Sequence, residues 1–244
     1  MFSKGFFVGS VALAFAATAG AIAEAESQKD DTVETDDLPK FIDSITADLN
    51  SFWKDEFSRQ GFTGWKDAAV VVFGRVTKTK CGPRLSKQGV MYCTKDWTVY
   101  VPPSALMEFR DELGVRGDMA QAFALAHELA HHAQLGFHIT RDTARNHKKN
   151  RGRRARQKLK IAHELQADCF AGLWAHSLSE RGLLEDGDIG EVLAALAAIG
   201  DDALHVRRAR WSHGSGKQRA KWFSVGFETG DFFACDPFNQ DKER

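Results

Sequence analysis

Residues 124–136 read ALAHELAHHAQLG, an Ala- and Leu-rich helical run that carries His127, Glu128, His131 and His132 in its middle. A buried helix face excludes such groups unless they are paired, because an unpaired one costs roughly 2–7 kcal/mol. The fold must offset that cost at this point. His127 and His131 are four residues apart, so they stand one above the other on one helical face, where two imidazoles can converge on one ion. Glu128 is adjacent, within reach of water held by that ion. The H-E-x-x-H spacing suits zinc. Two neutral imidazoles hold it without cancelling its charge, the metal acidifies water, and the carboxylate accepts the proton.

A third ligand is needed. His138 would serve in the extended pattern H-E-x-x-H-x-x-G-x-x-H, but Gln134 and Phe137 stand where that pattern demands Gly and His. The stretch HELQADCFAG, residues 163–172, is the better source. Glu164 and Asp168 share a helical face and lie among Ile161, Leu165, Ala167, Phe170, Ala171 and Leu173, a poor setting for merely exposed charges. Glu164 completes a His2Glu set for one zinc ion per chain and leaves the fourth position open. Asp168, one turn on, is placed to accept the second ring N–H of a ligating histidine, His127, which fixes its tautomer and orientation.

The rest of the chain supplies the setting. Lys4 precedes an uncharged run from Gly5 to Ala23, followed by the small-residue patterns Ala21-Ile22-Ala23 and Ala23-Glu24-Ala25. That order predicts a signal peptide over 1–25, cleaved on export to a secreted or periplasmic location. Left uncleaved, it would be a membrane anchor. Residues 26–40 read as an acidic, solvated linker, and 41–244 as one domain with no further membrane span. Export makes the four cysteines disulfide candidates. Cys81 and Cys93 bracket a short turn-rich loop, and Cys169 and Cys235 would pair by elimination, unless Cys169 is a free buried thiol.

Acidic and basic residues balance, 33 against 33, so no global attraction to nucleic acid is expected. Ten Lys and Arg nevertheless crowd residues 141–160. They form either a surface loop running into exposed helical turns or a contact site for an anionic partner. No aromatic residues interleave to stack on bases.

Strands are expected at 68–76 and 96–102, and a helix at 39–58 with its proline in the first turn. Four more helices follow. Asp118 with Gln121 opens one that stops at Gly136, a second runs from beyond Arg154 to before Gly182, Asp188 with Glu191 opens a third, and Ser215 with Gln218 opens a last one stopped by Gly230. A small β region followed by helices makes an α+β, predominantly helical domain.

The segments CGPRLSKQGVMYCTKDWTVYVP, HELAHHAQ, ELQADCFAGLWAH, SHGSGKQRAKWFSVGFETGD and ACDPF occur in that order. On these the chain resembles the bacterial neutral zinc metallopeptidases of the gluzincin type over most of its length. The resemblance implies a zincin-like fold, a zinc cofactor and peptide-bond hydrolysis, with His127, His131 and Glu164 as ligands and Glu128 as base. Ala130 stands where glycine is common, and the basic 141–160 stretch looks peculiar to this chain.

Such a site also needs a donor to the developing oxyanion. His213, in a Gly- and Ser-rich loop before the last helix, is the leading candidate, followed by Tyr100 and Tyr92. Tyr100, at a strand end, would line a cleft where an edge strand pairs with extended substrate. His132, His163 and His176 are expected to be packing or surface residues. Two other functions remain compatible with these residues. One is a catalytically silent zinc protein acting through its basic surface. The other is a zinc amide hydrolase on a non-peptide, cell-wall substrate.

Overall fold

The computed structural model describes residues 37–115, 117–149 and 152–239, the side chains of Arg110 and His147 excepted. The expected signal peptide and nearly all of the linker lie outside the described residues. The described chain is mixed α+β and mostly helical. Helix α1 spans Leu38–Arg59, so the last three residues assigned to the linker are its first turn, with Pro39 at a position whose N–H would be unsatisfied anyway. Its apolar stripe of Leu38, Ile42, Leu49, Trp53 and Phe57 is buried.

Five short strands follow: β1 (Ala69–Val72), β2 (Val76–Thr79), β3 (Gly82–Leu85), β4 (Met91–Cys93) and β5 (Thr98–Val101). The expected single strand at 68–76 breaks at Gly74-Arg75, beyond which the chain starts a separate β2–β3 hairpin. The main sheet runs β1-β5-β4, with β5 parallel to β1 and antiparallel to β4. Strand β5 is therefore central and buried along its length, and β4 is an edge. The Cys81–Cys93 disulfide ties the hairpin turn to β4.

Six helices complete the fold: α2 (Pro103–Asp111), α3 (Met119–Gly136), α4 (Ile139–Lys149), α5 (Arg153–Glu180), α6 (Asp188–Ala198) and α7 (Gly216–Thr229). Two of these were not expected. Pro102-Pro103 ends β5, but Pro103 also sits in the first turn of α2, where proline is tolerated. Most of the basic stretch is helical rather than loop, and α4 was not expected because Ile139 and Ala144 are its only apolar residues. The start of α3 also differs from expectation. Asp118 makes no side-chain cap hydrogen bond, and the Gln121 side chain is buried, donating to the Leu106 carbonyl. At the other end Gly136 is the last helical residue, and the left-handed turn falls on His138, φ 66°. The Ser215–Gln218 capping box and the left-handed Gly230 stop are both present on α7.

Trp53, Phe123, Phe170, Trp174 and Phe223 fill the centre, fully buried. Helices α5 and α7 meet backbone to backbone. A Cβ at Gly226 would clash with the Cys169 carbonyl, and one at Gly172 with the Phe223 carbonyl. This close approach lays α7 directly under the α5 residues that matter below. Cys169–Cys235 closes the second disulfide and pins the C-terminal segment to α5. Among the described residues no helix is long and apolar enough to cross a membrane.

Candidate metal centre

Helix α3 presents His127 and His131 one turn apart, their rings 4.8 Å between centroids and nearly perpendicular. Helix α5 crosses them and delivers Glu164, whose Oε2 lies 3.4 Å from His127 Nε2 and 3.2 Å from His131 Nε2. One donor atom from each of the three residues falls within 4.8 Å of the others. Two elements 33 residues apart in sequence thus place two imidazole nitrogens and one carboxylate oxygen around a common point.

Each ligand candidate is held from behind. His127 Nδ1 bonds Asp168 Oδ1 at 2.9 Å. Asp168, with no exposure, accepts two further bonds from Arg219 of α7, from Nε at 2.9 Å and from Nη2 at 2.8 Å. His131 Nδ1 bonds Gln134 Oε1 at 2.8 Å, and Gln134 Nε2 donates to the His163 carbonyl and to Gln166 Oε1. Gln166 in turn donates to the carbonyl of the disulfide residue Cys235. Arg219, Gln134 and Gln166 escaped sequence reasoning. The signal for Arg219 was available: it shares the face of α7 made by Gly216, Phe223 and Gly226, where a charge needs a buried partner. In the sequence, Gln134 stands out only because it breaks the longer histidine motif.

The electrostatics follow from this packing. Burial alone would discharge Glu164, but His131 and His127 hold its pKa well below the usual carboxylate value. Burial likewise opposes charge on His127, yet Asp168 and Glu164 keep its pKa up, at about 9. Arg219 overcomes burial to keep Asp168 ionised. The pocket therefore keeps a buried carboxylate charged and demands a cation beside it, and a divalent ion satisfies that demand with neutral imidazoles. The donor set, two nitrogens and one carboxylate oxygen, is one that zinc accepts in catalytic sites.

Glu128 sits over edge strand β4, its Oε2 accepting the Tyr92 backbone N–H at 2.6 Å. His213 comes over the same point from the loop before α7, with Nε2 3.7 Å from Glu164 Oε2. Its side chain is half-exposed, and burial of the remainder lowers its pKa. The loop is shaped by Asp201, a buried residue not singled out in the sequence. Its Oδ2 accepts the backbone N–H groups of Ser212, His213 and Gly214 at 2.6, 2.8 and 2.9 Å.

Neither tyrosine serves the site through its hydroxyl. Tyr92 bonds His132 Nδ1 at 2.7 Å, and Tyr100 bonds Asp96 Oδ2 at 3.1 Å. Tyr100 also lies on the central strand, so the edge available to an extended chain is β4 rather than β5. His138 contacts Arg141 and Phe62, apart from the cluster. His163 stacks on His131 and bonds Thr140, and His176 bonds the Phe227 carbonyl, both in packing roles. Beside His127, Glu128 and His213 opens a cavity of about 200 Å³ whose apolar wall includes Val90, Phe109, Leu113 and Ile199.

Residues 7–238 match the family described as "Putative neutral zinc metallopeptidase". The chain belongs to this family. Within it, "Uncharacterized protein YpfJ" of Escherichia coli (strain K12) is 35% identical over 225 residues, covering 90% of this chain and 78% of that one. "Uncharacterized protein Rv2575" of Mycobacterium tuberculosis (strain ATCC 25618 / H37Rv) is 34% identical over 193 residues, covering 72% and 64%. No solved structure matches the chain. The family's name implies zinc, and His127, His131 and Glu164 form a three-residue cluster with the chemistry to hold it.

Proposed function

We propose that the chain is a zinc-dependent metallopeptidase with a zincin-like fold, exported from the cytoplasm and cutting peptide bonds in peptide or protein substrates. The observation that carries this reading is the meeting of His127, His131 and Glu164, with Glu128 held beside them by the Tyr92 backbone N–H. Three protein donors suit a catalytic site, whereas structural zinc sites are closed by four, usually including Cys. Here all four cysteines are spent on disulfides, the chemistry of an oxidising compartment.

His127, His131 and Glu164 would hold zinc, which when bound would supply Lewis acidity and make water more acidic. Glu128 takes a proton from the attacking water and passes it to the leaving amine. Its hydrogen bond to Tyr92 N–H aims the carboxylate before substrate arrives. His213 Nε2 donates to the substrate carbonyl oxygen as negative charge grows there, from a loop that Asp201 fixes in advance. The Asp168–Arg219 pair keeps His127 in the tautomer with Nδ1 protonated, leaving Nε2 free to bind. Edge strand β4, its Tyr92 N–H already taken by Glu128, leaves the Tyr92 carbonyl for an extended peptide, and the apolar cavity takes one side chain.

The test is cleavage of a denatured protein by the mature chain, run beside Glu128→Gln with zinc measured in both. Turnover in the wild type alone, with one zinc in each protein, supports the proposal. Full activity in Glu128→Gln sinks it.

A further inference from the structure

The face of α5 that carries the site does not end there. Counting back from Glu164 along the same stripe gives Lys160, Gln157 and Arg153, at helical spacings of four, three and four. Lys160 and Arg153 are exposed. Gln157 Nε2 donates to the carbonyls of Arg208 and Trp211, at 2.8 and 3.1 Å. Two hydrogen bonds therefore dock the arginine-rich turn 207–210 onto this stripe, some fifty residues away in sequence. Arg207, Arg208 and Arg210 are all exposed, and Arg208 stacks over Trp211 at 5.4 Å.

Residues 143–163 and 203–227 contain no Asp or Glu. Of the closest acids on the loop, Asp201 is buried against the backbone of Ser212–Gly214, and Asp202, though exposed, is engaged by Gly216 N–H. Among the described residues none of Arg153, Arg154, Lys160, Arg207, Arg208 and Arg210 has a carboxylate partner. The positive end of the α5 macrodipole adds to the same field. Helix α4 contributes less, since Arg145 is paired with Asp142. Gln157, where the turn docks, lies two turns before Glu164, about 10 Å along the axis. An extended chain covers that distance in about three residues, at roughly 3.3 Å each.

We infer that this cationic ramp selects peptides carrying Asp or Glu about three residues from the bond that is cut. The inference rests on the peptidase reading and names the substrate class for it. Local positive potential in the approach raises the encounter rate and steadies acidic side chains against free guanidinium groups, without touching the chemical step.

The test uses the full mature protein and fluorogenic peptides sharing one neutral core, with Glu, Gln or Lys three and four positions away on either side. The Glu peptide should exceed the Gln peptide by about tenfold in kcat/KM, through KM, with the advantage gone near 0.5 M salt. Arg207→Glu with Arg210→Glu should turn the preference toward the Lys peptide, a gain that a misfolded protein cannot produce. Equal kcat/KM for all three peptides overturns the inference while leaving the peptidase intact. Fluorescence anisotropy of the same peptides on Glu128→Gln protein separates the two claims. Arginine-dependent binding of the Glu peptide with no cleavage by wild type keeps the ramp and sinks the peptidase. Capture by anionic phosphatidylglycerol vesicles with no peptide preference overturns the ramp as a substrate surface.

Discussion

His131 and His132 are consecutive residues of one helix, both largely withdrawn from water, and each is hydrogen-bonded through Nδ1. His131 Nε2 faces the Glu164 carboxylate at 3.2 Å, whereas His132 Nε2 bonds the Lys66 carbonyl at 2.7 Å. The residue opposite decides the rest. Glu164 raises the pKa of His131 against the effect of burial, and burial lowers that of His132, whose partners are neutral. A neutral carbonyl and a phenol satisfy a neutral imidazole completely and leave no call for a cation. A carboxylate does not. Tyr92 joins the two regions, giving its hydroxyl to His132 and its backbone N–H to Glu128.

That contrast can be broken most severely at Glu164. Glu164→Gln should purify with almost no zinc and no turnover, because the buried negative charge that calls for a cation is gone; retention of one zinc would show that the carboxylate is not a ligand. Next in size is Glu128→Gln, which should keep the metal and lose activity by about 10³-fold, read as kcat on any cleaved peptide. Cutting the support behind His131 is a stability experiment. Replacing Cys169 and Cys235 with Ser opens a loop of separation 66 and should cost about 4 kcal/mol by denaturant titration.

The His132 side should respond differently in kind. His132→Phe strands the Tyr92 hydroxyl and the Lys66 carbonyl and should cost about 1–3 kcal/mol, with zinc content unchanged. Zinc loss in this variant would erase the distinction between the two histidines. Smallest is Tyr92→Phe, about 1 kcal/mol, with activity near wild type because the main-chain bond to Glu128 remains. A large fall in kcat there would give the phenol a role in catalysis that its bond to His132 argues against.

Much of the site was legible because its spacing is local. His127 with His131, and Glu164 with Asp168, are four apart on helices whose composition already marked them as buried. The capping box on α7 and the proline-led start of α1 are equally local and stand as expected. The central position of β5, the helical form of residues 139–149 and the inward turn of Tyr92 and Tyr100 were not legible, since each depends on which distant segment lies alongside.

By itself, then, the sequence determined which residues share a helical face, since 3.6 residues per turn is a property of the backbone and needs no partner. Tertiary structure alone decided what faces them. Glycines at 172 and 226 let α7 approach α5 closely enough to set Arg219 beneath Asp168, and the Gln157 bonds set an arginine turn over the same stripe. Those neighbours come from side-chain volume and long-range hydrogen bonding, which no periodicity along the chain encodes.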